Sequence, residues 1–570
     1  MGDEERTQPL QYSRIIGFIF LFNFMMGNGP LTLPAAFVNA GWLISIIIIV
    51  IMGSISFIPL TFVFELLSIT NAVSKIQAKR KRLSNKSTSE SLVGVSDEND
   101  QFEVAGDNEE HAGRSESDID FRITEVFELG DMCSFFLHKF GNVVFYITIT
   151  IYVIGDLSVN SAVVAKTIRN AICEKNTTDI VLPEAMRCWE SVWLKRCDVY
   201  RLFVVAFGMC MCPFLYLNVT GSRWLQNLTV VVRWAIYLLM VALAIDRAVV
   251  IRERQASFYV QNYHMWNPAL GSLRYSVTSD PVPNPPMVRP QGIPNLMGVG
   301  AYACMCLHAL PGVITPVRDK NHIIVKVFIP LFVSALAFDI LLSATASTAF
   351  KTVRDYYTLN FVPDEHIAED FGIPKLLAEI FGYLITLLPV FVLSSTFTIS
   401  ACTLIQNLHC MFNSSSALTT PLSRKIVKYT LPLLVLLPPL SISLATDDIT
   451  FLVSFTGAFA GCLLQFVFPP LLVYKARQFL LNLISVGNRQ AQADDEVECV
   501  DDVTLISTEE PLVQSTSTGG GLSLWCEKLA KMKVGTPYAS PFQHGGWVIF
   551  LFIWAAGIFI INLIDKIHPM

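Results

Sequence analysis

Charge is what this sequence is short of. Asp, Glu, Lys and Arg make up 15% of its 570 residues, against about 25% in an ordinary soluble protein. Hydrophobic residues reach 52%, and the mean hydropathy is +0.50. The formal net charge of −6 says little about partners, because the acids gather in two hydrophilic stretches. No basic face is present that would suit a nucleic acid. Also missing are a phosphate-cradling loop, a metal-ligand cluster and a nucleophile beside a positioned base, so the chain does not read as an enzyme and no cofactor is called for. The first fourteen residues are polar, and no small-residue cleavage site follows a short apolar core. The expectation is a retained first span and no removable signal peptide.

Long apolar runs take the place of charge. Eleven candidate helices cover 15–38, 42–69, 140–168, 201–219, 226–249, 293–316, 323–350, 374–408, 427–446, 449–475 and 546–566. Runs of this kind cross a hydrocarbon core about 30 Å thick. The fold class is an all-α polytopic membrane protein with the lipid bilayer as its first partner. Orientation follows from Lys and Arg beside the span ends. Lys75, Lys79, Arg80, Lys81 and Arg82 mark the loop after the second span as cytosolic, which puts residues 1–14 on the same side. Arg318, Lys320, Lys326, Arg424, Lys425, Lys428, Lys475 and Arg477 agree; Lys195, Arg196, Arg252 and Arg254 do not.

That topology turns the loop 169–200 outward. It carries the glycosylation acceptor Asn176-Thr177-Thr178 and three cysteines, Cys173, Cys188 and Cys197. In an oxidising compartment these form one disulfide with one thiol left over, and the sequence leaves the pairing open. Residues 84–120 and 484–520 are rich in polar residues and poor in aromatics, and are expected to be disordered. Phe121–Lys139 is expected to lie along the bilayer surface. Residues 250–292 read as an outer cap, 15–249 and 293–475 as two five-helix repeats, 476–545 as a cytosolic linker and 546–566 as a last span. Glu65 and Asp246, near span ends, read as interfacial anchors. Asp501-Asp502-Val503-Thr504-Leu505-Ile506 fits an acidic dileucine pattern of the kind a clathrin adaptor reads, which bears on a plasma-membrane or endosomal and lysosomal location.

The first span is interrupted where interruption is most costly. Gly27, Asn28, Gly29 and Pro30 stand at its middle, and unpaired backbone groups in hydrocarbon cost several kcal/mol each. A break there exposes N–H groups at the positive end of a second half-helix, which attracts a carboxylate. The carbonyls left by the first half can coordinate a cation. Asn23, Gly27, Asn28 and Gly29 are therefore candidate substrate contacts; the plainer reading is a kink. The sixth span, GVGAYACMCLHALPGVITP from Gly298 to Pro316, is interrupted as well. Broken helices at corresponding places in two halves point to a transporter site. Tyr302, Cys306 and His308 join the substrate candidates, against the alternative of core packing. Cys304 and Cys306 lack a third ligand at metal spacing.

The run Asn23–Trp42, with its G-N-G-x-L-x-L-P-x-A-F-x-x-A-G-W pattern, resembles the first span of the amino acid/auxin permease family. Cys304–Pro311 is similar to that family's sixth span, and Gly155-Asp156-Leu157 fits a divergent branch whose substrates are unassigned. The resemblance implies a LeuT-type 5+5 inverted repeat plus one helix, and secondary transport of amino acids or similar zwitterions driven by Na⁺ or H⁺. In that fold, hydroxyls of the eighth span share a Na⁺ site with carbonyls of the first-span break, which implicates Ser394, Ser395 and Thr398. Asn28 departs from the Ser or Thr commoner at its position. Asp156 and Asp339 fall near the middle of spans three and seven, with Asn160 and Ser343 one turn beyond. Intramembrane carboxylates of this kind serve ion or proton coupling or structural contacts between helices. The alternative function is a transporter-like nutrient receptor or scaffold that signals through its cytosolic loops without net transport.

Overall fold

The computed structural model describes residues 11–92, 119–173, 185–189, 193–216, 223–264, 286–363, 371–413, 421–496 and 536–567. Regular structure there is helical, with isolated β-bridges at Tyr12–Val317 and Arg187–Lys195. The helices are α1 (Arg14–Met25), α2 (Gly29–Ala40), α3 (Trp42–Leu92), α4 (Leu129–Phe136), α5 (Lys139–Ile172), α6 (Arg196–Tyr216), α7 (Arg223–His264) and α8 (Ile293–Ala303). They continue with α9 (Leu310–Ile314), α10 (Ile329–Ala349), α11 (Lys375–Asn413), α12 (Pro421–Ala445), α13 (Ile449–Thr456), α14 (Phe468–Glu496) and α15 (Gly546–Ile567).

Among the described residues, eight helical stretches are long and apolar enough to cross a bilayer, and the pair α1–α2, bent by 50°, makes a ninth. The count of eleven is not reached on that measure. Helix α12 runs Pro421–Ala445 and enters the measure over Tyr429–Ala445 alone, and the segment 293–316 is divided into α8 and the five-residue α9. Two boundaries move for a physical reason. Helix α3 continues to Leu92 and α14 to Glu496, into stretches expected to be disordered, because a helix already nucleated in the membrane adds each further residue at little cost. Of those stretches, 93–118 and 497–520 lie outside the described residues, as do Asn176 and Asp501–Ile506.

Phe121–Lys139 docks on protein. The Asn71 side chain, on α3, accepts from the backbone N–H of Thr124 and Glu125 at 3.0 and 2.9 Å. A reciprocal cap between Glu128 and Asp131 then starts α4, whose Met132 and Cys133 are buried. Near the other end of α3, Gly41 has φ +98°, and a Cβ there would meet the carbonyls of Pro286 and Met287. Those carbonyls accept from the N–H groups of Trp42 and Leu43. Of the expected outer cap, 250–264 belongs to α7 and 286–292 is this docked strap.

Small residues let helices meet at backbone distance. Gly155 on α5 faces Thr456, Gly298 on α8 faces Ser454, and Gly53 on α3 faces Leu336. Three polar fastenings join distant parts of the chain. First, Glu65 is not an interfacial anchor: its carboxylate pairs with Arg477 of α14 in a two-pronged bridge of 2.7 Å contacts, both side chains 1% exposed. The same carboxylate accepts from the Ser540 N–H at 2.9 Å, and Arg477 donates to the Gln543 carbonyl at 3.0 Å. The segment leading into α15 is thereby strapped between α3 and α14. Second, Lys166 on α5 reaches Asp355 at 2.6 Å and the Asp447 carbonyl at 2.9 Å. Third, Tyr12 pairs its backbone with Pro316 and Arg318, and Arg14 binds Asp319. The Arg14 guanidinium holds the Asp319 carboxyl below its ordinary range. Cys173 and Cys188 form the disulfide, and Cys197 is the thiol left over.

Candidate functional site

Helix α1 stops at Met25 and α2 starts at Gly29, with Pro30 in its first turn. The three residues between carry the break. Carbonyls at the end of α1 find partners on α7, where Arg233 and Tyr237 share a face at i, i+4 spacing. Arg233 Nη1 donates to the Asn23 carbonyl at 3.0 Å, to Asn23 Oδ1 at 3.3 Å and to the Met26 carbonyl at 3.3 Å. Tyr237 Oη donates to the carbonyls of Met26 and Gly27 at 3.1 and 2.9 Å. Of the four first-span candidates, Asn23 thus meets a cation supplied by another helix, and Gly27 meets a tyrosine of that same helix.

A small pocket opens at this point. Gly27, Asn28, Leu31, Arg233, Tyr237, Tyr356, Thr358, Pro389 and Leu393 are among its lining residues. Its walls are mostly apolar, with a few convergent polar groups, the usual character of a small-molecule site. The Thr358 hydroxyl is buried there with no hydrogen-bond partner. Gly29 does a different job. A Cβ on it would overlap the Ala303 backbone, so the start of α2 and the end of α8 touch directly.

On the other side of Asn28 lies the carboxylate predicted for coupling. Asn28 Nδ2 donates to Asn160 Oδ1 at 2.7 Å, and Asn160 Nδ2 lies 3.5 Å from Asp156 Oδ2. Tyr302 Oη donates to Asp156 Oδ1, and Ser400 Oγ lies 3.5 Å from Oδ2. Tyr356 Oη stands 3.5 Å from Asn28 Oδ1. A chain of polar contacts therefore runs from the pocket, through Tyr356, Asn28 and Asn160, to Asp156. Tyr302, the last full turn of α8, ends on the same carboxylate.

The remaining candidates are dispersed. Between α8 and α9 the backbone is irregular, and the Cys304 carbonyl accepts from Gln465 Nε2 at 3.2 Å. Cys306 is fully buried in the apolar core. The His308 ring is exposed, against Phe24 at 5.0 Å and Tyr152 at 6.0 Å between centroids. Ser394 and Ser395 bond to carbonyls of their own helix, as does Thr398, which also contacts Met211 Sδ. Those bonds do not reach the break. Asp339 is 1% exposed, and its Oδ1 and the Ser343 hydroxyl lack partners. Arg233, Tyr237, Tyr356, Thr358 and Ser400 were not singled out from sequence. Arg233 had a signal, a lone cation inside an apolar run; Tyr356 and Thr358 sit in an inter-helix segment that carries none.

The chain is similar to known proteins over nearly its whole length. A family described as "Transmembrane amino acid transporter protein" matches residues 11–82, which contain the break. The transmembrane protein 104 homolog of Drosophila melanogaster is 30% identical over 95% of this chain and 95% of its own. Transmembrane protein 104 of Homo sapiens is 31% identical over 98% of this chain and 97% of its own. Among solved structures, a manganese transporter point mutant of Eremococcus coleocola aligns over 96% of this chain and 93% of that one, with 14% identity and a TM-score of 0.36. That superposition is too loose to carry a cargo across.

Proposed function

The chain belongs to the transmembrane protein 104 family, and from that premise we propose that it is a secondary active transporter of amino acids or related small zwitterions. The observation that carries the reading is the pocket at the helix break, where α2 begins beside the guanidinium of Arg233 and the unpartnered Thr358 hydroxyl. A zwitterion's carboxylate suits the N–H groups at the start of α2, where the helix dipole is positive. Its ammonium is directed toward the acceptors Asn28 Oδ1 and Thr358 Oγ1. Asp156 is the coupling carboxylate, joined to the pocket through Asn28 and Asn160. Breaks at α1–α2 and α8–α9 open the two halves of a 5+5 inverted repeat, and alternating access rocks one half on the other. The N-terminus faces the cytosol, and the disulfide loop faces the lumen or exterior of the plasma membrane or an endosomal or lysosomal membrane.

The test is reconstitution of the purified protein in liposomes with labelled amino acids, under an inward H⁺ gradient and separately an inward Na⁺ gradient. Gradient-driven uptake lost in Asn28→Ala supports the proposal. Saturable ligand binding with no uptake under either gradient would replace it with the receptor reading.

A further inference from the structure

The oxygens left behind by α1 form a cup. Asn23 contributes its carbonyl and its side-chain oxygen, and Met26 its carbonyl, all within 3.3 Å of one nitrogen of Arg233. Tyr237 closes the rim by donating to Met26 and Gly27. Carbonyl oxygens at the C-terminal end of a half-helix carry partial negative charge, and in hydrocarbon they need a positive partner or a donor. A mobile cation such as Na⁺ is one solution. A guanidinium is the other, and it stays charged across physiological pH.

We infer that Arg233 is a resident cation that fills the carbonyl cup at the end of α1, so that this site takes no Na⁺. The geometry fits no second cation, since the three oxygens already converge on Nη1. The permanent charge also cannot be exchanged with solvent, so it does not carry an ion gradient's energy. The position of Arg233 on α7, one turn before Tyr237, makes the cup a joint between α1 and α7. In its consequence for coupling, the inference rests on the transporter reading: the driving ion is then H⁺ acting at Asp156. Its claim about the cup does not need that reading.

The experiment reads ion binding without flux. Thermal unfolding of the purified full chain is measured in NaCl, KCl and choline chloride at equal ionic strength. The expected result is the same midpoint in all three for the wild type. Arg233→Gln, which removes the charge and leaves a shorter neutral side chain with room for an ion, is expected to unfold at lower temperature in KCl and to recover by about 3 °C or more in NaCl, because a bound ion stabilises the folded state. A Na⁺-specific rise in the wild type would overturn the inference. So would a folded Arg233→Gln protein indifferent to Na⁺. If Arg233→Gln does not fold, Arg233→Lys decides. A folded, Na⁺-indifferent lysine variant supports a built-in charge, and failure of that variant overturns it. Loss of the transport reading by the liposome assay would leave these midpoints unchanged.

Discussion

Asp156 joins three helices at the site, accepting from Tyr302 on α8 and lying within 3.5 Å of Asn160 on its own helix and of Ser400 on α11. Replacing it with Asn keeps the shape and removes the charge. Asp156→Asn is expected to lower proton-driven uptake at least about tenfold, a rise of about 1.4 kcal/mol in the barrier, measured by initial rates in liposomes. Tyr302→Phe is expected to lower the same rate by less, since Asn160 and Ser400 remain. Glu65 makes the opposite case, a charge whose role is to hold structure. Removing one member of a buried pair costs about 3–5 kcal/mol. Glu65→Ala is therefore expected to lower the unfolding midpoint sharply, and Arg477→Met with Glu65→Met together to lower it less, by thermal unfolding in detergent. Asp156 was legible because a carboxylate stands out in an apolar run. Glu65 was legible only as a charge. Its partner is 412 positions away, and nothing local in a sequence encodes that meeting.

At the scale of an element, the broken helix could be read directly from Gly27, Gly29 and Pro30, since each has a known effect on a helix. What the break is for could be read only in part. The cup was anticipated as a cation site, while the cation that fills it comes from α7, whose sequence has no feature addressed to α1. Helix ends were also hidden: α3 outlasts its apolar stretch, and polar residues alone do not stop a helix. The contact between α2 and α8 gives a further prediction. Gly29→Val places a side chain against the Ala303 backbone, and overpacking of this kind costs about 1–3 kcal/mol. Uptake is expected to disappear and the unfolding midpoint to fall. Gly312→Ala, where an added Cβ meets nothing within 4 Å, is the matched control and is expected to change neither.

For the whole molecule, the polytopic class followed from length and apolarity, while the count of eleven is not reached among the described residues, where α8 and α9 are each too short to register as a crossing and α12 enters over Tyr429–Ala445 alone. The disulfide gives the prediction that belongs here. Cys173 and Cys188 close a loop of sequence separation 15, for which chain entropy gives about 3 kcal/mol. Cys173→Ser is expected to lower the unfolding midpoint. In the wild type, reduction in the unfolded state is expected to add two maleimide-reactive thiols, counted by mass.

The pairing of Glu65 with Arg477 has a consequence in time. A ribosome adding roughly 5–20 residues per second needs on the order of 20–80 s to get from one to the other. Throughout that interval the second span rests in the bilayer with a carboxylate that has no guanidinium to meet. The newborn chain must be sheltered by the insertion machinery until α14 arrives. A messenger interrupted before codon 477 would yield a protein that advertises its own incompleteness from within the membrane.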